Sequence, residues 1–220
     1  MAKIIKIVSH TSEPSESVAR LNEKLGTVNQ DVVEFHYGKG VNKLKQYEFF
    51  KANDIPHAPF STKIEDAKKW LKQGHAVVCR EFVKGQGGHG LHIADSLDSL
   101  VDAKVYTKYM KKKREFRVNL FKHKVVNIRE KIGKAGKWNI CTQANGFTTT
   151  FVKTPISNEE YLRNIAEQAS HVSSSDFIGV DVGYNQFYDE YFVLEVNSGP
   201  SIEGQSVNDF VKAMQEAAGV

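Results

Sequence analysis

Gly179-Val180-Asp181 and, further on, Leu194-Glu195-Val196-Asn197-Ser198-Gly199-Pro200 carry the decisive pattern of this chain. They sit in two apolar runs, Ile178 to Tyr184 and Tyr191 to Asn197, that read as consecutive strands. Glu195 and Asn197 are two apart, so they share a strand face, and Val180, Val182, Leu194 and Val196 are expected on the opposite one. A hairpin brings Asp181 beside them, so three oxygen donors converge at one end. A solvated polar face is one reading of this pattern; a magnesium site completed by phosphate oxygens is the other. The metal reading is preferred. Phe192 to Val196 and a rigid Gly199-Pro200 turn enclose these groups, and a charge buried there without a partner is costly.

Upstream, Gly85-Gln86-Gly87-Gly88-His89-Gly90 matches the dinucleotide-binding spacing G-x-G-x-x-G. That motif needs a helix directly after it to receive the pyrophosphate, and here strand-like Leu91 to Ala94 follows. A Walker A loop is excluded as well, because no Gly-Lys-Ser/Thr closes the run. The loop lies between strands Ala76 to Phe82 and Leu91 to Ala94, which suits a flap whose backbone N–H groups fold over phosphates. A glycine hairpin without a ligand is the plainer alternative, but four glycines in six positions exceed the needs of a turn. Arg80, in the strand entering the loop, is placed to reach phosphate from beneath, whereas His89 reads as a solvent-facing loop residue.

The remaining pattern is mixed. Ile4 to Val8 and Val32 to His36 read as strands around a helix from Glu16 to Leu25, a short βαβ-like opening with no evident chemistry. Helices are expected over Lys43 to Asn53, through Trp70 and Leu71 behind a Thr62-x-x-Glu65 capping box, over Asn158 to His171 and over Val207 to Ala218. Strands are expected over Val101 to Met110, Glu115 to Phe121 and Lys124 to Ile132, the last two joined by a tight turn at Lys122-His123. The class is α+β with antiparallel pairs in the second half.

The 220 residues carry 30 Lys+Arg against 26 Asp+Glu, an excess too mild to announce a nucleic-acid binder. The run Lys111-Lys112-Lys113-Arg114 reads as a solvated loop, with steering of an acidic acceptor or nucleic acid as the lesser alternative. Two cysteines, Cys79 and Cys141, make no disulfide framework. The apolar run after Met1-Ala2-Lys3 is too short for a signal peptide, and no stretch reaches the length of a membrane span. The expected setting is soluble and cytoplasmic.

The glycine loop and the Asp181 to Gly204 segment together resemble the ATP-grasp superfamily, in particular the branch of ribosomal-protein glutamate ligases and related peptide ligases. The resemblance covers the chain from about Val41 to Gly204, and its most specific part is Glu195-Val196-Asn197-Ser198-Gly199-Pro200-Ser201-Ile202-Glu203-Gly204. It implies two α+β lobes sandwiching ATP: an abbreviated N-terminal segment over 1–40, a small flap lobe over 41–110 and a large lobe with the metal site over 111–220. Lys43 resembles the family's phosphate-contacting lysine. Arg80 stands where the family usually has a lysine, which exchanges a point charge for a planar fork. Tyr106 to Met110 looks like the strand that pairs with adenine through its backbone, with Lys108, Tyr109 and Met110 nearest the base and Lys108 where a glutamate is common. Glu115-Phe116-Arg117 resembles the acidic-x-Arg element, Arg129 and Lys131 share a face toward the same cleft, and Asn145-Gly146 weakly resembles the stretch before the final helix. Asp181, Glu195 and Asn197 take the metal-ligand roles, with two magnesium ions, or manganese in their place.

The activity so implied is ATP-dependent joining of a carboxylate to an amine through an acyl phosphate, releasing ADP and phosphate, with Arg80, Arg117 and Lys131 stabilising developing charge. The short N-terminal segment suggests an exposed acceptor site for a peptide or protein end. A kinase of the same fold and a nucleotide-binding regulatory module are the alternatives, and protein kinases proper lack support because no His-Arg-Asp or Asp-Phe-Gly element is present.

Overall fold

Alternating apolar and polar residues build two antiparallel sheets, and glycine, proline and asparagine punctuate them. The computed structural model describes residues 4–11, 15–25, 32–84, 89–134, 138, 140–142 and 145–220. Gly85, Gln86, Gly87 and Gly88 lie outside the described residues.

The chain opens with β1 (Ile4–Ser9), α1 (Glu16–Leu25) and β2 (Val32–Tyr37), the two strands pairing in parallel as the βαβ reading expects. Next come α2 (Lys43–Ala52), β3 (Phe60–Ser61), α3 (Ile64–Lys72), β4 (Val77–Arg80), β5 (Leu91–Ala94) and β6 (Val105–Lys108). The strands of this part form one sheet in the order β3-β6-β4-β5. Then follow β7 (Arg114–Phe121), β8 (Lys124–Ile132), β9 (Thr148–Phe151), α4 (Glu159–Ser170), β10 (Phe177–Asn185), β11 (Glu190–Asn197) and α5 (Gln205–Ala218). Their sheet runs β11-β10-β7-β8-β9.

Local chemistry explains most boundaries. Asn42 caps α2, its side-chain oxygen accepting from Leu44 N at 2.9 Å and Lys45 N at 3.2 Å. The expected turn at Lys122-His123 is present, with both residues at positive φ, as a type I′ two-residue hairpin requires. The capping box at Thr62 is not formed. The cap position of α3 is Lys63, without a side-chain bond; Ser61 Oγ instead accepts from Lys63 N and donates to Asp66 Oδ2 at 2.6 Å. The expected strand Val101 to Met110 shortens to β6, because Lys104 N turns to Arg80 O and Ala103 N to the Tyr106 hydroxyl.

Three apolar clusters hold the elements. The largest packs α2 and α4 on one face of the five-stranded sheet, through Phe116, Val118, Ile178, Val180 and Val182 against Leu162, Ile165 and Tyr47. Each such side chain contributes about 1.5–3 kcal/mol on full burial. The second seats β1, α1 and β2 on α5 and the sheet, with Leu21 and Phe35 meeting Phe177 and Phe210. The third, with Leu71, Val77, Cys79 and Tyr106, fastens α3 to the four-stranded sheet. The polar face of the five-stranded sheet is left for the cleft. Among the described residues, no helix is long and apolar enough to cross a membrane.

Candidate active site

The hairpin of β10 and β11 sets Asp181 opposite Glu195, and Gly179 opposite Asn197. All three expected donors line one cleft of about 410 Å³ that also receives residues from α2, β4, β6, β7 and β8. That volume is within the range of small-ligand sites. A register shift between Asp181 and Val182 alters one expectation: Val182 pairs with Val193, so Leu194 lines the cleft instead of joining Val180 and Val196 in the core.

Ion pairs knit the charged groups together. Arg117 grips Asp181 with two bonds, Nε to Oδ1 at 2.5 Å and Nη2 to Oδ2 at 3.0 Å. Lys131 Nζ lies between Asp181 Oδ2 at 2.8 Å and Glu115 Oε1 at 2.6 Å. Glu115 also faces Lys112 at 3.3 Å. Lys43 Nζ pairs with Glu195 at 2.7 Å, and Arg80 approaches the other oxygen at 4.0 Å. Burial by itself would raise the Asp181 carboxyl, but Arg117 and Lys131 outweigh it and hold the group well below the usual carboxylate range. Burial of Glu195 is likewise outweighed by Lys43 and Arg80, so it too is lowered. Both carboxylates therefore stay ionised, the form a metal needs.

Gly179 makes room for this arrangement. A Cβ there would sit 3.0 Å from Arg117 Cδ and 3.0 Å from Pro200 Cβ. Burial, followed by the neighbouring Glu115, pushes the Cys141 thiol at the cleft wall up to about 12, which keeps it protonated and poorly nucleophilic.

The donor set fits magnesium: two carboxylates and an amide are hard oxygen ligands, and adjoining strand positions bring them together. The cleft also fits a nucleotide polyanion. Lys43, Arg80, Lys108, Lys112, Arg117 and Lys131 line it against Glu115, Asp181, Glu195 and Glu203, six cations to four carboxylates, an excess of two positive charges. Arg80 Nε is buried with no partner among the described residues, which leaves a donor for an incoming anion.

Other expected residues fall as follows. His89 lines the cleft and stacks on Phe82 at 5.4 Å between ring centroids. Gly90 follows at φ +68°, where a Cβ would strike the Phe82 ring. Lys108, Tyr109 and Met110 line the cleft, but Lys108 N already donates to Pro59 O and Tyr109 N to Ala76 O, which narrows the candidate adenine donors to Met110. Arg129 is not among the cleft residues. It turns to Ser206 Oγ and Thr149 O, with its guanidinium 4.0 Å from the Phe151 ring centroid. Asn145 closes a local turn onto Ile140 O instead of facing the cleft. Half of the basic run is structural: Arg114 is forked onto Glu130 and caps the carbonyls of Thr154 and Pro155, and Lys112 is nearly buried beside Glu115, whereas Lys111 and Lys113 are exposed as the solvated-loop reading expects. Sequence reasoning missed that Gln46 and Tyr47 brace β11 from α2: helical spacing marks Tyr47 only as an apolar position, and no local signal marks Gln46.

Two sheets thus enclose a cationic cleft, with carboxylates on the last hairpin. The model of the RimK-like ATP-grasp domain matches residues 43–216, and the chain belongs to that family. The fold that it shares with solved ATP-grasp ligases agrees with that family. Among solved structures, it is similar to a D-alanine–D-alanine ligase from Bacillus anthracis, with TM-score 0.65 and 14% identity over 100% of this chain and 93% of that one. It is also similar to the ATP-grasp ligase PsnB, solved with a minimal precursor, with TM-score 0.61 and 14% identity over 88% of this chain and 66% of that one. A third is carboxyaminoimidazole ribonucleotide synthase from Aspergillus clavatus complexed with ATP, with TM-score 0.52 and 16% identity over 73% and 45%. A comparison with curated proteins finds no match.

Proposed function

We propose that this protein joins a carboxylate to an amine using ATP and magnesium, through an acyl phosphate, releasing ADP and phosphate. The observation that carries the reading is the meeting of Asp181, Glu195 and Asn197 with Lys43, Arg80, Arg117 and Lys131 in one cleft of excess positive charge. Bound magnesium would supply Lewis-acid stabilisation of the phosphate oxygens. Lys43 and Arg80, which pair with Glu195 in this structure, would be free to turn toward the triphosphate once Glu195 served as a metal ligand. Arg117 and Lys131 lie on the next strands inward, placed to stabilise charge on the transferring phosphoryl group and on the acyl carbon under attack. Segments 41–110 and 111–220 divide these tasks, the first contributing the flap and Arg80, the second the carboxylates and the inner cations.

The work asked of the residues is positioning and charge stabilisation, which suits phosphoryl transfer. Cys141, the one thiol lining the cleft among the described residues, is held protonated, so no covalent enzyme intermediate is assigned to it. A peptide is the proposed acceptor, a reading supported by the fold shared with PsnB, which was solved with a precursor peptide. The test incubates the protein with Mg-ATP and pools of amino acids and peptides, and follows phosphate, ADP and AMP. Pool-dependent ADP and phosphate that vanish in Asp181→Asn or Glu195→Gln support the reading. AMP with pyrophosphate would mean adenylation and overturn the acyl phosphate.

A further inference from the structure

β11 is an outer strand of its sheet, so its outward backbone groups must find partners elsewhere. At Val193 the partner is main chain: Val193 N donates to Pro56 O at 2.7 Å, beside a parallel bridge to His57. At Val196 it is a single side chain. Gln46 Nε2 donates to Val196 O at 2.8 Å, and Gln46 Oε1 accepts from Val196 N at 2.8 Å. Gln46 and Val196 are each 1% exposed, so water does not share these bonds. The planar amide thus does for one residue what a neighbouring strand would do.

Val196 lies directly between Glu195 and Asn197. Fixing both its N–H and its C=O fixes the peptide planes from which those two side chains project. The same helix holds Glu195 through Lys43, one turn earlier than Gln46, and reaches Leu194 O with the Tyr47 hydroxyl at 3.4 Å. We propose that Gln46 is a positioning residue for the metal site: its two-point bond to Val196 holds Glu195 and Asn197 in the register that coordination requires. This rests on the metal reading given under Proposed function. Among side chains in their usual ionisation state, an amide offers coplanar donor and acceptor at this spacing, and Gln has the reach from a helix. Glutamate would keep the acceptor for Val196 N but set oxygen against Val196 O, whereas methionine keeps the volume and loses both bonds.

The test has two readouts that need no turnover. Manganese is titrated with ADP present and free Mn²⁺ followed by its paramagnetic resonance signal, and exchange of the Val196 amide is measured on the ligand-free protein. Gln46→Met is expected to weaken Mn²⁺ binding roughly ten- to a hundredfold, the scale for groups that orient metal ligands. ADP affinity without metal should be little changed, and the Val196 amide should exchange faster. Gln46→Glu should show the same defects in milder form, and it carries the test if Gln46→Met does not fold. Mn²⁺ binding by the parent chain, unchanged in both variants, would overturn the positioning role alone. No Mn²⁺ binding by the parent would overturn the metal reading, and the positioning role with it.

Discussion

Replacing Arg117 by methionine tests how the cleft holds its charges. Asp181 is 5% exposed and takes two bonds from Arg117, at 2.5 and 3.0 Å, and one from Lys131 at 2.8 Å. Removing one partner of a buried ion pair typically costs about 3–5 kcal/mol, because the other charge stays behind uncompensated. Lys131 remains here and offsets part of that, so the expected loss is about 2–3 kcal/mol. At this chain length each kcal/mol moves Tm by roughly 2–4 °C, which predicts a fall of roughly 4–12 °C. The sharper assay is a double-mutant cycle in urea with Asp181→Asn. That variant alone leaves Arg117 and Lys131 facing each other without their anion, so it too destabilises. Combined with Arg117→Met it should cost less than the sum, with a coupling of about 1–3 kcal/mol. A coupling under about 0.5 kcal/mol would refute the idea that this pair acts as one buried unit.

Acid should weaken the fold in a defined direction. Asp181 and Glu195 titrate below their unfolded values, so their stabilisation is present above about pH 4 and is lost as pH falls through the folded pKa values. Urea midpoints measured from neutral to acid pH should therefore fall, and less steeply in Asp181→Asn. Gly179→Ala should destabilise by about 1–3 kcal/mol, since the new Cβ crowds Arg117 and Pro200, and a melting curve measures it. Cys141, pushed up to about 12, should resist iodoacetamide in the native protein at pH 8 and react fully once unfolded, as peptide mapping would show.

Much of the fold follows from local pattern, because strand alternation, helix periodicity and caps are short-range properties. β5, α1 and the Lys122-His123 turn fall where residue chemistry puts them. β3, only two residues long, and β9, a threonine run after Gly146-Phe147, carry too little pattern to be read. Thr62 looked like a cap, but Ser61 reached Asp66 first, and a competition between neighbours is settled by backbone geometry.

The site divides along the same line. The sequence alone determined that Asp181, Glu195 and Asn197 would meet, because a two-residue period and a hairpin suffice to place them. Only the tertiary structure decided that Leu194 faces the cleft, since a bulge shifts register without a local signature. It also decided that Arg129 turns to Ser206, that Lys112 serves Glu115, and that Gln46 reaches a residue 150 positions away. Those partners are chosen by which surfaces the cores press together, and hydrophobic packing across distant segments leaves no mark in the short stretches where a sequence is read.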